Sequence, residues 1–193
     1  MKTSITTGQG NAGTTKALDG TVLEKYHPMI EAVGALDALR TQTALLRLQL
    51  QEKYPGDLRE IEFLLFLLHS YFLVGASISA PHNHKAEGQR DEIARTHIER
   101  LKEEQQRMES TLHLPDSFIV SATNRVSAQA DIVATTARSF ERRLVAFCAE
   151  TPTFDRALCQ TFSNRLSDYF FVLARYLEKG HHQAVSYDLA EEY

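Results

Sequence analysis

Residues 58–78 contain FLLFLLHSYFLVGA, a stretch that would be apolar on nearly every side of a helix. A helix with no solvent face has to be surrounded by others, so this segment predicts a central, buried member of a helical assembly. Its longest unbroken apolar run, Phe63 to Leu68, is too short to cross a bilayer, and His69 and Ser70 interrupt its continuation.

The rest of the chain supplies the surrounding helices. Residues 29–53 place Val33, Leu36, Leu39, Leu45, Leu46 and Leu50 at helical spacing, between Pro28 and the turn KYPGD. A third helix is expected over about 92–112, with Ile93, His97, Ile98, Leu101 and Met108 inward and ERLKEEQQRMES as a solvated face. The fourth covers about 124–149 and the fifth about 155–179. TPTFD offers N-capping residues before the fifth, and Gly180 offers a stop after it. No strand alternation is evident. The expected architecture is all-α, an up-and-down five-helix bundle. It is read as one domain over 1–193, with an N-terminal segment at 1–27, the bundle at 28–180 and a tail at 181–193.

Charge and composition narrow the function. A formal charge of −4 disfavours a protein built to grip nucleic acid. The opening MKTSITTG has no apolar signal core, so a soluble, cytoplasmic protein without membrane contact is expected. Cys148 and Cys159 lack a CxxC or ligand spacing and read as buried thiols. His82 and His84 stand two apart in a polar loop, and His181 and His182 come after the last helix, so no metal site is expected.

Three stretches carry candidate chemistry. TTGQGNAGTT (residues 6–15) is rich in glycine and threonine, but no Gly-Lys-Ser/Thr comes after it to make a Walker loop. In ARSFERR, Arg138 and Arg142 share a helical face, with Glu141 three residues beyond Arg138. That spacing fits either a bidentate phosphate grip or a surface salt-bridge ladder. In FSNRLSDYFFVLAR, Asn164 and Asp168 are one turn apart around Arg165. Both are weak helix formers, which fits an inward polar task, a local hydrogen bond or an ordinary polar stripe. The residues alone describe a helical bundle with an anion site or a partner-binding face.

SNRLSDYFFVLAR resembles the asparagine-arginine-leucine-serine-aspartate signature of the PduO-type ATP:cob(I)alamin adenosyltransferases. The family's threonine/glycine-rich ATP loop, T-K-T-G-D-x-G-x-T, falls without gaps on Thr7 to Thr15. Thr7, Gly10, Gly13 and Thr15 match, while Gly8, Gln9 and Asn11 replace lysine, threonine and aspartate. EKYHPMIEAVGALDAL (residues 24–39) is similar to the family's next segment, with Lys25 at the ATP-contacting lysine and Glu31, Gly34 and Asp37 matching. FIVSATNRVSAQADIVATTARSFER aligns Phe118 with the aromatic that helps keep the corrinoid four-coordinate. It also aligns Arg138, Glu141 and Arg142 with the ATP-binding helix.

The resemblance implies a homotrimer with sites between subunits, and transfer of the 5′-deoxyadenosyl group of ATP, with Mg2+, to cob(I)alamin. It assigns catalytic roles to Phe118, Asp37 and Arg138. It assigns ATP contacts to Thr7, Gly8, Gln9, Gly10, Asn11, Gly13, Thr15, Lys25, Arg138, Ser139, Glu141, Arg142 and Asn164. Asp168 and Arg165 support the site.

The departures fall on the chemistry. The arginine expected to pair with Asp37 is Ala134, the second of the paired arginines is Ser139, and a family histidine is Asp131. The family's Pro-Gly-Gly after the phenylalanine reads Ser121, Ala122, Thr123, and a polar run in the second helix reads HSYFLV. Losing several charge-assisted contacts, each worth about 1.5–3 kcal/mol, would remove much of the triphosphate affinity. A partnerless Asp37, if buried, would add a further cost. Two readings stand: a corrinoid adenosyltransferase, or a non-catalytic homologue that binds a corrinoid, a nucleotide or a protein.

Overall fold

The computed structural model describes residues 10–56, 59–80, 92–155 and 157–191. A small antiparallel hairpin, β1 (Thr14–Lys16) and β2 (Val22–Glu24), precedes five long helices. These are α1 (Pro28–Lys53), α2 (Arg59–Ser79), α3 (Arg95–Glu109), α4 (Arg125–Glu150) and α5 (Ala157–Leu177). A short α6 (Tyr187–Glu191) ends the described chain. The five-helix expectation holds; the hairpin corrects the absence of strands. Its strands are three residues each, too short for period-two alternation to register.

Local signals set the helix ends. Pro28 opens α1, where its missing N–H costs nothing, and His27 Nδ1 accepts from the Met29 N–H at 3.2 Å. Asn124 caps α4 through a capping box: its Oδ1 accepts from the Val126 and Ser127 N–H groups, while Ser127 Oγ accepts from the Asn124 N–H. After α5 the chain reverses through Lys179 (φ +53°) and Gly180 (φ +82°), as the glycine predicts.

The helices are arranged around the core in the order α2, α1, α4, α5, α3. The ring closes where Arg59 Nε donates to Glu104 Oε2 at 2.7 Å and Arg107 Nη2 donates to Glu60 Oε1 at 2.5 Å. Glu104 lies on the face of α3 expected to be solvated, yet it is buried, bridging the two arginines. Leu39, Leu64, Phe140, Leu144, Phe162 and Phe170 are fully buried in the core between the helices. Both cysteines are buried, and burial pushes the Cys159 thiol up to about 12.

α2 departs from its expected central place. Among the described helices it is long and apolar enough by composition to cross a membrane, a length the broken apolar run conceals. Phe63, Leu64, Leu67, Tyr71 and Val74 bury one side of it in the bundle. Leu65 and Phe72 remain exposed on the other, with the Arg40 guanidinium 5.0 Å from the Phe72 ring centroid. Its all-round hydrophobicity therefore exceeds what this chain buries.

Candidate functional site

The glycines of the N-terminal segment build a cradle for Lys25. Gly13 takes φ +87°, a conformation that disfavours side chains, and its N–H donates to Gly10 O at 3.3 Å to close a turn. The Gly13 carbonyl then accepts from the Lys25 N–H at 2.9 Å. A Cβ on Gly10 would stand 3.1 Å from Lys25 Nζ, so a bare backbone lets the ammonium lie against the turn. Asn11 is exposed at the turn. Thr7, Gly8 and Gln9, like His82 and His84, lie outside the described residues.

This hairpin covers one end of a groove between α1 and α4, leaving a cavity of about 520 Å³. Thr15 and Lys25 line it from the hairpin, Glu31 and Gly34 from α1, and Thr136, Ser139 and Arg143 from α4. Gly34 has no atom within 4 Å of where a Cβ would stand, so its missing side chain leaves open space. Arg143 spans the groove: Nε donates to Glu31 Oε2 at 3.1 Å and Nη1 to Ser139 Oγ at 2.6 Å. Two cations, one carboxylate and several hydroxyls thus face a space within the usual range for ligand pockets.

The sequence-derived site residues divide. Thr15, Lys25 and Ser139 come together in this cavity, with Gly10 and Gly13 shaping it. Arg138 does not join them: it lines a second cavity of about 460 Å³ with Asp168 and Phe171 of α5 and Glu109 of α3. At 3.6 residues per turn, Arg138 and Arg142 fall on the flank of α4 opposite Ser139 and Arg143, with the buried stripe between them. Arg142 is exposed. Glu141, expected beside Arg138, instead accepts from Asn164 Nδ2 at 3.0 Å. Asn164 therefore has an exposed bond between α4 and α5 rather than an inward task. Asp168 pairs with Arg165 at 3.6 Å, also at the surface.

Two further expectations change. Asp37 is neither buried nor partnerless: its side chain is 59% exposed and accepts from Arg40 Nη2 at 2.9 Å. The desolvation cost expected from losing the arginine at Ala134 does not arise, and Ala134 itself is packed in the core. Asp131, in the histidine's place, binds the buried Arg175 at 2.6 Å. Desolvation raises its carboxyl above the usual range, with Glu178 adding to the rise and Arg175 opposing it.

Phe118 is 77% exposed on the loop before α4. In that loop Ala122 holds φ +64°, where a Cβ is strained. Arg143 and Glu31 are charged cavity residues to which sequence reasoning gives no role. The signal for Arg143 was its position four residues after Ser139, the same spacing that singled out Arg138 and Arg142.

The geometry can be set beside known proteins. A family model described as cobalamin adenosyltransferase matches residues 5–177. The corrinoid adenosyltransferase PduO of Salmonella typhimurium is 29% identical over 94% of this chain. The chain spans only about half of that relative, 52% of its length. A cobalamin adenosyltransferase of Cupriavidus metallidurans is 31% identical over 91% of this chain and 88% of its own length. In fold, the chain superposes on a variant PduO-type ATP:corrinoid adenosyltransferase from Lactobacillus reuteri complexed with cobalamin and ATP. The TM-score there is 0.76 at 21% identity, covering 93% of this chain and 97% of the other. Hairpin, groove and all five long helices fall within the matched span, and the chain belongs to the cobalamin adenosyltransferase family.

Proposed function

We propose that the protein transfers the 5′-deoxyadenosyl group of ATP to the reduced cobalt of a corrinoid. The observation that carries this reading is the α1/α4 cavity, where Lys25 and Arg143 face Thr15 and Ser139 beneath a glycine-built hairpin. Transfer forms a cobalt–carbon bond at C5′ and breaks the C5′–oxygen bond, whose electron pair leaves with the triphosphate. The chain has only to hold the nucleotide, stabilise the leaving charge and orient the corrinoid. Lys25 and Arg143 are suited to the phosphates, with Arg143 exchanging Glu31 for a phosphate oxygen, while the exposed Phe118 would meet the corrinoid. Magnesium would enter with ATP as its counter-ion.

The same reading places the protein in the cytoplasm as a homotrimer. Leu45, Leu48, Leu65 and Phe72 are exposed on α1 and α2, as a surface covered by another copy requires. The cavity containing Arg138 and Asp168 shares no lining residue with the one containing Lys25. Neighbouring copies could bring the two half-sites to one ligand. A single species of monomer mass in light scattering would defeat this assembly.

A non-catalytic binding role is favoured by two features: Arg143 already has a carboxylate partner in Glu31, and serine stands where the family has a second arginine. Purified protein with ATP, magnesium and chemically reduced cobalamin separates the readings. The expected result is the absorption spectrum of adenosylcobalamin growing with time. No spectral change and no calorimetric binding of ATP would defeat the enzyme reading.

A further inference from the structure

A second group of charges gathers at the end of α5, away from the cavity residues. Arg175 Nη2 donates to Asp131 Oδ2 at 2.6 Å and lies 3.1 Å from Glu178 Oε1. Glu178 Oε2 is 2.7 Å from His182 Nδ1, within hydrogen-bond distance. The side chains of Arg175, Glu178 and His182 are 2%, 0% and 4% exposed. Burying such charges costs several kcal/mol per ion, and Arg175 Nε and His182 Nε2 have no hydrogen-bond partner among the described residues. An apolar cluster would serve stability as well, so the network is better understood by what it holds in place.

What it holds is the returning chain. His182 comes after the reversal at Lys179 and Gly180, and from the next residue the backbone runs antiparallel to the Phe118 loop. The Val120 N–H donates to Gln183 O at 2.8 Å, the Val185 N–H donates to Phe118 O at 2.8 Å, and Ile119 faces Ala184. So short a strand pair does not hold its register in water unaided. The buried His182 ring is its nearest fixed point on the bundle.

We propose that the chain Asp131–Arg175–Glu178–His182 anchors the tail strand and through it sets the position of the Phe118 loop. His182 is then a positioning residue for the aromatic that meets the corrinoid. The corrinoid part rests on the proposed function; the anchoring rests on the hydrogen bonds alone.

Hydrogen exchange on the full chain tests the anchor without any ligand. His182→Ala should speed exchange of the Val120 and Val185 amides about tenfold or more, the equivalent of one lost hydrogen bond, and leave core amides of α1 and α4 unchanged. His182→Asn, which keeps a hydrogen-bonding group near the Nδ1 position, should restore most of the protection. Unchanged exchange at Val120 and Val185 in His182→Ala overturns the anchor. So does acceleration shared equally with the α1 and α4 core, which would mark general destabilisation.

A second readout is the absorption spectrum of cob(II)alamin bound in the presence of ATP. His182→Ala should weaken corrinoid binding and diminish the four-coordinate signature, with ATP affinity held. Normal corrinoid binding and spectrum despite faster exchange would overturn the positioning role. If the wild type binds no corrinoid, the functional reading fails, and with it Phe118's assigned contact, while the exchange result still decides the anchor.

Discussion

The charges on the two sides of α4 differ in what they are free to do. In the α1/α4 cavity, Arg143 and Glu31 pair directly at 3.1 Å but are 44% and 51% exposed. At the end of α5, Arg175 and Glu178 are almost fully excluded from it. An exposed ion pair contributes about 0.2–1 kcal/mol, so Arg143 can leave Glu31 for a phosphate at little cost. A buried ion that loses its partner keeps its desolvation penalty, so Arg175 cannot change partners. One set of charges suits binding; the other suits holding backbone in place.

The largest effect should come from breaking the buried set. Arg175→Met removes the cation between Asp131 and Glu178 and leaves both carboxylates without it. Urea denaturation should show a loss of roughly 3–5 kcal/mol. A loss below about 1 kcal/mol would mean the cluster is hydrated and behaves like the exposed pair, erasing the contrast.

In the cavity the expected effects are reversed in kind. Arg143→Ala and Lys25→Ala should each change stability by less than about 1 kcal/mol. Each should weaken ATP binding by about 1.5–3 kcal/mol, or roughly ten- to a hundredfold in calorimetric affinity. Arg138→Ala should weaken ATP binding only if a neighbouring copy brings that arginine to the site. An equal loss in Arg138→Ala, together with a monomer in solution, would contradict the division of α4 into two flanks.

These contrasts show what the sequence made legible. Helix ends were readable where they rest on a local signal, as at Pro28 and Gly180. Thr15 was placed by the match to the ATP loop, and Lys25 by the match of residues 24–39 to the family's next segment. The choice between Arg142 and Arg143 was not, because two adjacent arginines both satisfy a four-residue spacing. Only the buried stripe, with Ala137, Phe140 and Leu144 facing inward, fixes which flank meets α1. Asp131 and Arg175 are 44 residues apart, and a pairing across helices leaves no periodic trace. The exposed side of α2 was misread for a related reason: hydropathy records that a face is apolar, not whether this chain or another copy covers it.

The Phe118 loop, paired with the returning tail, offers a smaller test. Ala122 holds a left-handed backbone (φ +64°). That conformation costs a side-chain-bearing residue about 1–2 kcal/mol, partly offset because alanine restricts the unfolded chain. Ala122→Gly should therefore stabilise the protein by up to about 1 kcal/mol, read from its denaturation midpoint at constant m-value. Destabilisation would show that the loop has relaxed around the alanine.

The smallest effect, and the most specific to the buried side, is a dependence on pH. Burial raises the Asp131 carboxyl above its ordinary 3.8, with Arg175 only partly opposing the rise. The folded state therefore binds this proton more tightly than the unfolded chain. The stabilisation linked to it is fully present below the unfolded value and is lost as pH rises through the folded one. Asp131→Asn removes the titration, so the stability difference, wild type minus variant, should decrease as pH rises through the window just above 3.8. If the Asp131 difference instead grows with pH, the attraction of Arg175 outweighs desolvation, and the carboxylate at this position is stabilised rather than strained by its burial.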